Sequence, residues 1–364
     1  MNLYRLGLMP WAETQAIYHV LAQTRQEGLV ICRPSTPCVC LGLHDDLEQE
    51  VNVKYCRDHN IPLIRRDIGG GMVLLAKEQI FFQLVLRAGN PLLAGRREEF
   101  FAKFLEPAIK TLASFHIRAD LKPPADIVVN GKKISGNGAG DINGFAVYTG
   151  NILVAFDRTT MSNVLNLPSP RFRELTRLSM QRYLTTMEEE LGYTPDFTAI
   201  EEQLIANFST WTEGLQSVPY SEKLKTAVKA TAKDLTSSDF LNLPGKQTQV
   251  RQVKINEGTY IRLHHLPECF TPNVSGNREC INQAGKVCPG YAILIIQGGE
   301  IIEFESNGFL CWANSHINSL KDYLLGTKWC DSDIRSAICK WQQSLASNIT
   351  TINEDLLLRW LLVR

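Results

Sequence analysis

The sequence lacks a net charge, a long apolar run and, through its middle, cysteine. Lys and Arg together number 38, as do Asp and Glu, in a chain of 364 residues. A protein that binds nucleic acid over a broad surface needs a basic excess to replace the counterions of the phosphates, so the balanced charge argues against that class. No apolar run approaches the roughly 20 residues that span a bilayer, so we also expect no membrane partner.

The ten cysteines fall into two groups, one before residue 57 and one after residue 268. The opening residues, MNLYRLGLMPWAETQ, lack the basic region, apolar core and cleavage site of a secretory signal. We therefore expect reduced thiols and a cytoplasmic location. Because residues 57–268 contain no cysteine, the sequence argues against a mechanism in which a thiolate in this region holds an acyl group as a thioester.

The distribution of apolar residues favours two domains of mixed structure. Apolar residues make up 44% of the chain, and runs typical of strands alternate irregularly with helical patterns, as in α+β proteins. Residues 97–115 predict an amphipathic helix, residues 29–43 predict two strands paired like a hairpin, and Asn130-Gly131 predicts a tight hairpin turn. The more polar stretch 212–245 predicts a domain boundary near its end.

Two glycine-containing segments are the candidates for chemistry: RRDIGGG at 65–71 and NGKKISGNGAG at 130–140. Glycine lets backbone N–H groups approach an anion closely, and arginine and lysine add positive charge. Neither segment fits GxxxxGK[ST], and neither places GxGxxG between a strand and a helix. The sequence therefore disfavours the common nucleotide-binding loops.

Together, these segments resemble the motifs of lipoate-protein ligases in the biotin/lipoate ligase superfamily. RRDIGGGMV resembles the signature RRxxGGGxV, GKKISGNG resembles the [RK]KxSGxA segment that carries the catalytic lysine, and YTGNILVAFD resembles HGTLLxxxD. This likeness covers roughly residues 1–210, and the segment that begins GGEIIEFES resembles the family's small accessory domain. The resemblance implies a mixed-sheet catalytic domain over 1–240 and a small C-terminal α+β accessory domain over 246–364.

The resemblance also implies an activity and its residues. It implies an ATP-dependent, AMP-forming ligase that activates lipoate or octanoate as an acyl-adenylate and transfers the acyl group to a lysine of a lipoyl-carrier protein or lipoyl domain. ATP, Mg²⁺ and lipoate are the implied small molecules. Lys133 is the implied catalytic residue, and Asp126 is the implied acid beside the nucleotide and Mg²⁺. The residues implied to bind substrate or nucleotide are Arg65, Arg66, Gly69, Gly70, Gly71, Asp126, Ser135, Gly136, Gly150 and Asn151.

Four positions depart from the family pattern and remove polar groups from the expected pocket. Ile68 stands where the family usually has Ser or Thr, Leu75 falls near its usual His, Ala125 replaces an Asn, and Thr149 replaces a His. Three alternatives therefore stay open: a lipoyl or octanoyl transferase, a biotin ligase of the same fold, and a non-catalytic module that binds a carrier.

A further group of soft ligands lies between residues 264 and 290. His264, Cys269, Cys280 and Cys288 are of the types that bind zinc or an iron–sulfur cluster. The segment has no CxxC pair, so a loop with scattered reduced thiols is the competing interpretation.

Overall fold

The structure is a computed structural model in which the described residues are 1–248, 250–265, 291–307, 314–345 and 354–362. They divide into two compact units, whose bounds are 1–167 with 177–247 and 168–176 with 248–364. Across the described ranges, no helix has both the length and the apolar character that a membrane crossing requires. The catalytic and accessory roles expected for the two domains stay predictions.

Sixteen strands are described. In chain order they are β1 (Asn2–Met9), β2 (Gly28–Pro34), β3 (Cys38–Leu41), β4 (Leu63–Arg65), β5 (Val73–Leu75), β6 (Gln79–Arg87), β7 (Asp120–Lys122), β8 (Asp126–Val129), β9 (Lys132–Ser135), β10 (Asn137–Ile142), β11 (Phe145–Leu153), β12 (Gln216–Ser217), β13 (Arg251–Asn256), β14 (Thr259–His265), β15 (Tyr291–Gln297) and β16 (Glu300–Asn307).

Several of the described helices begin at a side-chain cap: Asp157, Asp196 and Ser221 each accept a hydrogen bond from a backbone N–H of the first turn. In chain order the α-helices are α1 (Glu13–Gln23), α2 (Leu47–Glu50), α3 (Val53–Asp58), α4 (Arg97–Ser114), α5 (Arg158–Val164), α6 (Pro170–Tyr183), α7 (Met187–Leu191), α8 (Phe197–Trp211), α9 (Glu222–Leu235), α10 (Ser238–Leu241), α11 (Asn314–Leu324), α12 (Asp331–Ser344) and α13 (Glu354–Leu362).

A six-stranded mixed sheet forms the centre of the first unit, in the order β10-β11-β6-β2-β1-β12. Strand β1 runs parallel to β2 and β12, and the other pairs are antiparallel. Alternate residues of β6 enter two different cores: Phe82 packs in one with Phe104 of α4 and Phe208 of α8, and Phe81 packs in the other with Ile17 of α1. The sheet is therefore covered on both faces, and the predicted α+β class is confirmed.

The connection after β2 corrects one prediction. Residues 29–43 do form two strands, but they do not pair as a hairpin: β2 lies in the central sheet, whereas β3 lies between β4 and β5 in a separate three-stranded sheet. The pattern of two neighbouring apolar runs does not show which strands they pair with, because that pairing depends on contacts with other parts of the chain. The helix predicted over 97–115 is confirmed as α4.

The tight turn at Asn130-Gly131 is also confirmed. Both residues have positive φ, 49° and 79°, as a two-residue hairpin turn of type I′ requires. The turn joins β8 to β9 in a second three-stranded sheet of order β7-β8-β9. This β8–β9 pair, residues 126–135, is called the lysine hairpin below.

The second unit is built on an antiparallel sheet whose order, β13-β14-β15-β16, follows the sequence. A turn at Gly298-Gly299 joins β15 to β16, and both glycines have positive φ. Leu294 and Phe304 of the sheet share a core with Trp341 of α12 and Leu357 of α13.

Candidate active site

The lysine hairpin brings Lys133 against Asp126. The Lys133 Nζ lies 2.8 Å from Oδ1 of Asp126, and the two side chains are 22% and 8% exposed. The ladder pairs Ile127 with Ser135 and Val128 with Lys133, so Ile134 is the extra residue of a bulge. The result is an ammonium group anchored by a buried carboxylate while part of the lysine side chain stays accessible.

The main chain of Lys133 is tied to the segment between α6 and α7. The Thr185 N–H donates to the Lys133 carbonyl at 2.9 Å, and Arg158 donates through Nη2 to the carbonyl of Leu184 at 3.2 Å. Arg158 is itself paired with Glu189 at 2.6 Å. No local sequence pattern marks Arg158 and Thr185 as supports, because only the folded chain brings them to the hairpin.

Gly136 and Asn151 lie beside the Lys133 amine. The Gly136 N–H donates to Oδ1 of Asn151 at 2.7 Å, and Asn151 Nδ2 donates to Oε1 of Gln79 at 3.0 Å. A β-carbon added at Gly136 would lie 3.8 Å from the Lys133 Nζ and 3.5 Å from Asn151 Oδ1. These two predicted site residues therefore do converge on the lysine.

Ser135 and Gly150 are brought to the same region but are buried beneath it. Ser135 is fully buried and exchanges hydrogen bonds with Asn137, whose Nδ2 also donates to the carbonyl of Ala125 at 2.7 Å. A β-carbon at Gly150 would collide with Phe82 and with the Asn137 side chain. In this structure both residues support the hairpin, and their predicted contact with a ligand stays a prediction.

The predicted glycine loop, residues 67–71, is folded around the guanidinium of Arg66. That side chain is buried and donates to the carbonyls of Gly69 at 3.1 Å and Gly71 at 2.9 Å, and on its other side to the Cys40 carbonyl at 3.3 Å. Gly70 has a φ of 96°, which side chains rarely adopt. β-Carbons at Gly69 and Gly71 would meet open space, so these two glycines border the room that a ligand would need.

Arg65 lies in a different place from the one expected. The family resemblance implied that Arg65 binds substrate or nucleotide, but its side chain is fully buried, and burial lowers the pKa of the guanidinium. In the described contacts its two terminal nitrogens donate only to main-chain oxygens. Arg65 and Arg66 meet different segments because successive side chains of a strand point to opposite sides. The acceptors are the carbonyls of Gly42, Leu43, Asp45, Leu241 and Leu243, at 3.1, 3.1, 2.7, 2.6 and 3.4 Å.

The two predicted motifs meet where Ile68 packs against β10. A β-carbon added at Gly140 would lie 2.7 Å from Cγ2 of Ile68, and Ile68 is only 3% exposed. Segments that are about 65 residues apart in the sequence are therefore in direct contact. The glycine loop and the strand that follows the lysine hairpin form adjoining parts of one candidate site.

Comparison with known proteins shows the family to which the chain belongs. A family model described as the lipoyl protein ligase A/B catalytic domain matches residues 7–209, which is more than half of the chain. The chain belongs to this family. The resemblance inferred from the motifs is confirmed, and so is the fold class that it implied.

The relatives of this member of the lipoyl protein ligase family include both ligases and transferases. Lipoate–protein ligase 1 of Staphylococcus aureus is 26% identical over 167 residues, which are 46% of this chain and 49% of that protein. Octanoyltransferase LipM of Moorella thermoacetica is 23% identical over 194 residues, which are 48% of this chain and 71% of that protein. The chain thus spans about half the length of the first of these relatives.

A solved structure shows the same fold. The crystal structure of lipoate-protein ligase A bound with ATP aligns with 66% of this chain and 98% of its own, with a TM-score of 0.56 and 19% identity. At that identity the likeness concerns the fold. The activity of this family member has to be argued from its own residues.

The cysteines of the first unit are poor nucleophiles. Cys32, Cys38, Cys40 and Cys56 are all buried, and burial raises the pKa of each thiol, that of Cys56 to about 11. At Cys40 the nearby Arg66 opposes this effect without cancelling it. Because the thiolate is the reactive form, these residues have little of it at neutral pH.

Metal ligands are few in the part of the chain that the structure describes. Within it, no group of three or more His, Cys, Asp or Glu side chains is arranged to hold a metal ion. His264 is buried, with Nδ1 2.8 Å from the Trp360 carbonyl oxygen. The other members of its predicted metal group, Cys269, Cys280 and Cys288, lie outside the described residues. The metal site therefore stays a prediction.

Proposed function

We propose that this family member is an ATP-dependent, AMP-forming ligase that activates lipoate or octanoate and transfers the acyl group to a lysine of a lipoyl-carrier protein. The observation that carries the proposal is the Lys133–Asp126 pair at 2.8 Å, next to the glycine loop, in a unit whose thiols are all buried. A fixed cation suits adenylate chemistry, and the buried thiols disfavour a covalent acyl-cysteine.

In the first half-reaction a carboxylate oxygen of the acyl acid attacks the α-phosphorus of ATP. The bond from that phosphorus to the bridging oxygen breaks, and pyrophosphate leaves. Two anions must approach each other, so a cation placed in advance lowers the barrier. In this proposal Lys133 contacts both the acyl carboxylate and the α-phosphate, and its ion pair with Asp126 fixes where its ammonium group lies.

In the second half-reaction the amine of the carrier lysine attacks the acyl carbonyl. The mixed anhydride breaks, AMP leaves, and the attacking nitrogen loses a proton to give an amide. Negative charge develops on the carbonyl oxygen during this attack, and the Lys133 ammonium is the group that would stabilise it. The same residue thus serves both steps without forming a covalent bond.

Mg²⁺ fits this site as an ion carried by the nucleotide. Mg²⁺ commonly takes only one or two carboxylates from the protein and its other ligands from phosphates and water. Asp126 is the nearest carboxylate to Lys133, and it already forms an ion pair with that lysine. When bound with ATP, the ion would neutralise phosphate charge, while the chain's own residues orient the two reactants.

The test is to mix the protein with ATP, lipoate or octanoate, and a purified lipoyl domain. Pyrophosphate release reports the first step, and the intact mass of the lipoyl domain reports the second. Lys133→Ala should lose both signals, whereas Lys132→Ala, one residue earlier on β9, should keep them. Acyl transfer without ATP from an octanoylated carrier would instead identify a transferase, and binding of the lipoyl domain without turnover would identify a binding module.

A further inference from the structure

A short loop, residues 42–46, lies against the glycine loop and is called the support loop here. The Leu43 N–H donates to the carbonyl of Ile68 at 3.1 Å. Gly42 has no room for a side chain, because a β-carbon there would collide with the carbonyl oxygen of Gly70. A shift of the support loop therefore has to move the glycine loop as well.

The same support loop contacts residues 241–247, called the junction segment because Thr248 and the residues after it belong to the second unit. The Lys246 N–H donates to the His44 carbonyl at 2.8 Å, and Gln247 Nε2 lies 3.3 Å from an Asp46 carboxylate oxygen. A β-carbon at Gly245 would collide with the main chain of Asp45 and Asp46. The two backbones are thus in close contact.

We infer that Arg65 is a positioning residue that couples the glycine loop to the junction segment. Its Nη1 donates to three carbonyls of the support loop, and its Nη2 donates to two carbonyls at the start of the junction segment. One planar, buried guanidinium thus bridges both segments, while its neighbour Arg66 holds the glycine loop. A lysine cannot reproduce this bridge, because its ammonium is a single compact donor.

Coupling of this kind is reciprocal. The ordered glycine loop stabilises the ordered junction segment by the same coupling free energy as the junction segment stabilises the glycine loop. A ligand that stabilises the glycine loop therefore also stabilises the junction segment, by at most that coupling free energy. Occupancy of the site is then communicated to the point where the chain passes into the second unit. The ligand-dependent part of this inference rests on the proposed ligase function, whereas the coupling itself does not.

The test is hydrogen exchange, followed by mass spectrometry on the full chain. Without any ligand, Arg65→Lys should speed exchange about tenfold in both the junction segment and the glycine loop, since local opening becomes easier where the bridge is lost. The control is Arg33→Lys, because the contacts of Arg33 are with Lys77, Glu201 and the ring of Phe197, outside both segments. Faster exchange in the junction segment with an unchanged glycine loop would overturn the coupling.

Two further measurements keep the result interpretable. Gln247→Ala disturbs the junction segment from its exposed side and should produce the same paired change, in smaller amount, even if Arg65→Lys does not fold. Adding ATP and octanoate to the wild type should slow exchange in both segments together. Protection of the glycine loop alone would overturn the coupling. If the unliganded variants show the paired change but the ligands protect neither segment, the result would count against the ligase proposal only.

Discussion

The side chain of Ile68 occupies the space in which a side chain at Gly140 would lie. A β-carbon at Gly140 would be 2.7 Å from Cγ2 and 3.0 Å from Cβ of Ile68, both shorter than ordinary van der Waals contact. Ile68 belongs to the glycine loop and Gly140 to β10, so the pair joins the two motifs by which the family was recognised. The branched side chain of Ile68 fills the space that is left because Gly140 has no side chain.

This complementarity predicts an energetic coupling between the two positions. Gly140→Ala should lower the free energy of unfolding by about 1–3 kcal/mol, because the added methyl group overpacks the Ile68 side chain. In an Ile68→Ala background the same change should cost less, since the contact with Cγ2 at 2.7 Å is gone and, of the two short contacts, only the one with Cβ at 3.0 Å remains. Urea denaturation of the two single variants and the double variant measures the coupling.

The control for that cycle is Gly138→Ala on the same strand. The nearest atom to a β-carbon at Gly138 is Oγ1 of Thr149 at 3.8 Å, an ordinary contact, so this substitution should not depend on residue 68. Equal costs of Gly140→Ala with and without the Ile68 side chain would show that the packing is not as described.

The ion pair at the lysine hairpin predicts a catalytic effect of Asp126 that acts through Lys133. Asp126→Asn keeps the size of the side chain but removes the charge that holds the ammonium at 2.8 Å. Loss of this placement should reduce adenylate formation about 100-fold, the order of effect expected when a reacting group is misplaced by about 1 Å. Pyrophosphate release in single-turnover experiments measures this step.

The matched change for that experiment is Asp120→Asn, on the neighbouring strand β7, where the residue is exposed. It removes one negative charge from the same three-stranded sheet without touching Lys133, and adenylate formation should stay within about twofold of the wild type. A similar loss in both variants would point to the overall charge of the sheet rather than to the pair.

Much of the fold was predictable from local sequence, and the exceptions share one cause. The Asn130-Gly131 turn and the helix over 97–115 depend on nearby residues, and both form as predicted. The hydrogen bonds of Arg65 and the pairing of strand β3 depend on partners elsewhere in the chain. Arg65, for example, donates to the carbonyl of Leu241, 176 residues away. Strand alternation indicates that the two adjacent arginines face opposite sides, but a pattern of residue types cannot reveal which segments they bond to.

The burial of the first unit's thiols predicts a pattern of chemical modification. Under native conditions at pH 8, iodoacetamide should leave Cys32, Cys38, Cys40 and Cys56 unmodified, because burial both blocks access and raises the pKa of each thiol. Cys330, which is exposed, is the internal positive control. Peptide mapping by mass spectrometry reads out each position, and rapid labelling of any of the four would reopen the cysteine-transferase alternative.

The buried His19 predicts a loss of stability in mild acid. His19 is 2% exposed, stacks on Tyr18 with 4.6 Å between ring centroids, and has its pKa lowered by burial to about 4. Between that value and the ordinary pKa of 6.5, the unfolded chain binds a proton that the native chain does not. The free energy of unfolding should therefore fall by about 3 kcal/mol as the pH drops from 7 to 4, since each pKa unit is worth about 1.4 kcal/mol.

His19→Phe isolates this contribution, because phenylalanine keeps an aromatic ring beside Tyr18 and does not titrate. Urea denaturation at intervals from pH 7 to pH 4 should show the wild type losing about 3 kcal/mol more than the variant. His59→Phe is the matched control for replacing a stacked imidazole by phenylalanine: His59 also stacks on a tyrosine, Tyr55, at 3.9 Å, but it is exposed. Parallel pH profiles for wild type and His19→Phe would mean that water reaches the imidazole in the native state. Helix α1 would then be packed less tightly on the central sheet than its shared core with Phe81 and Val85 implies.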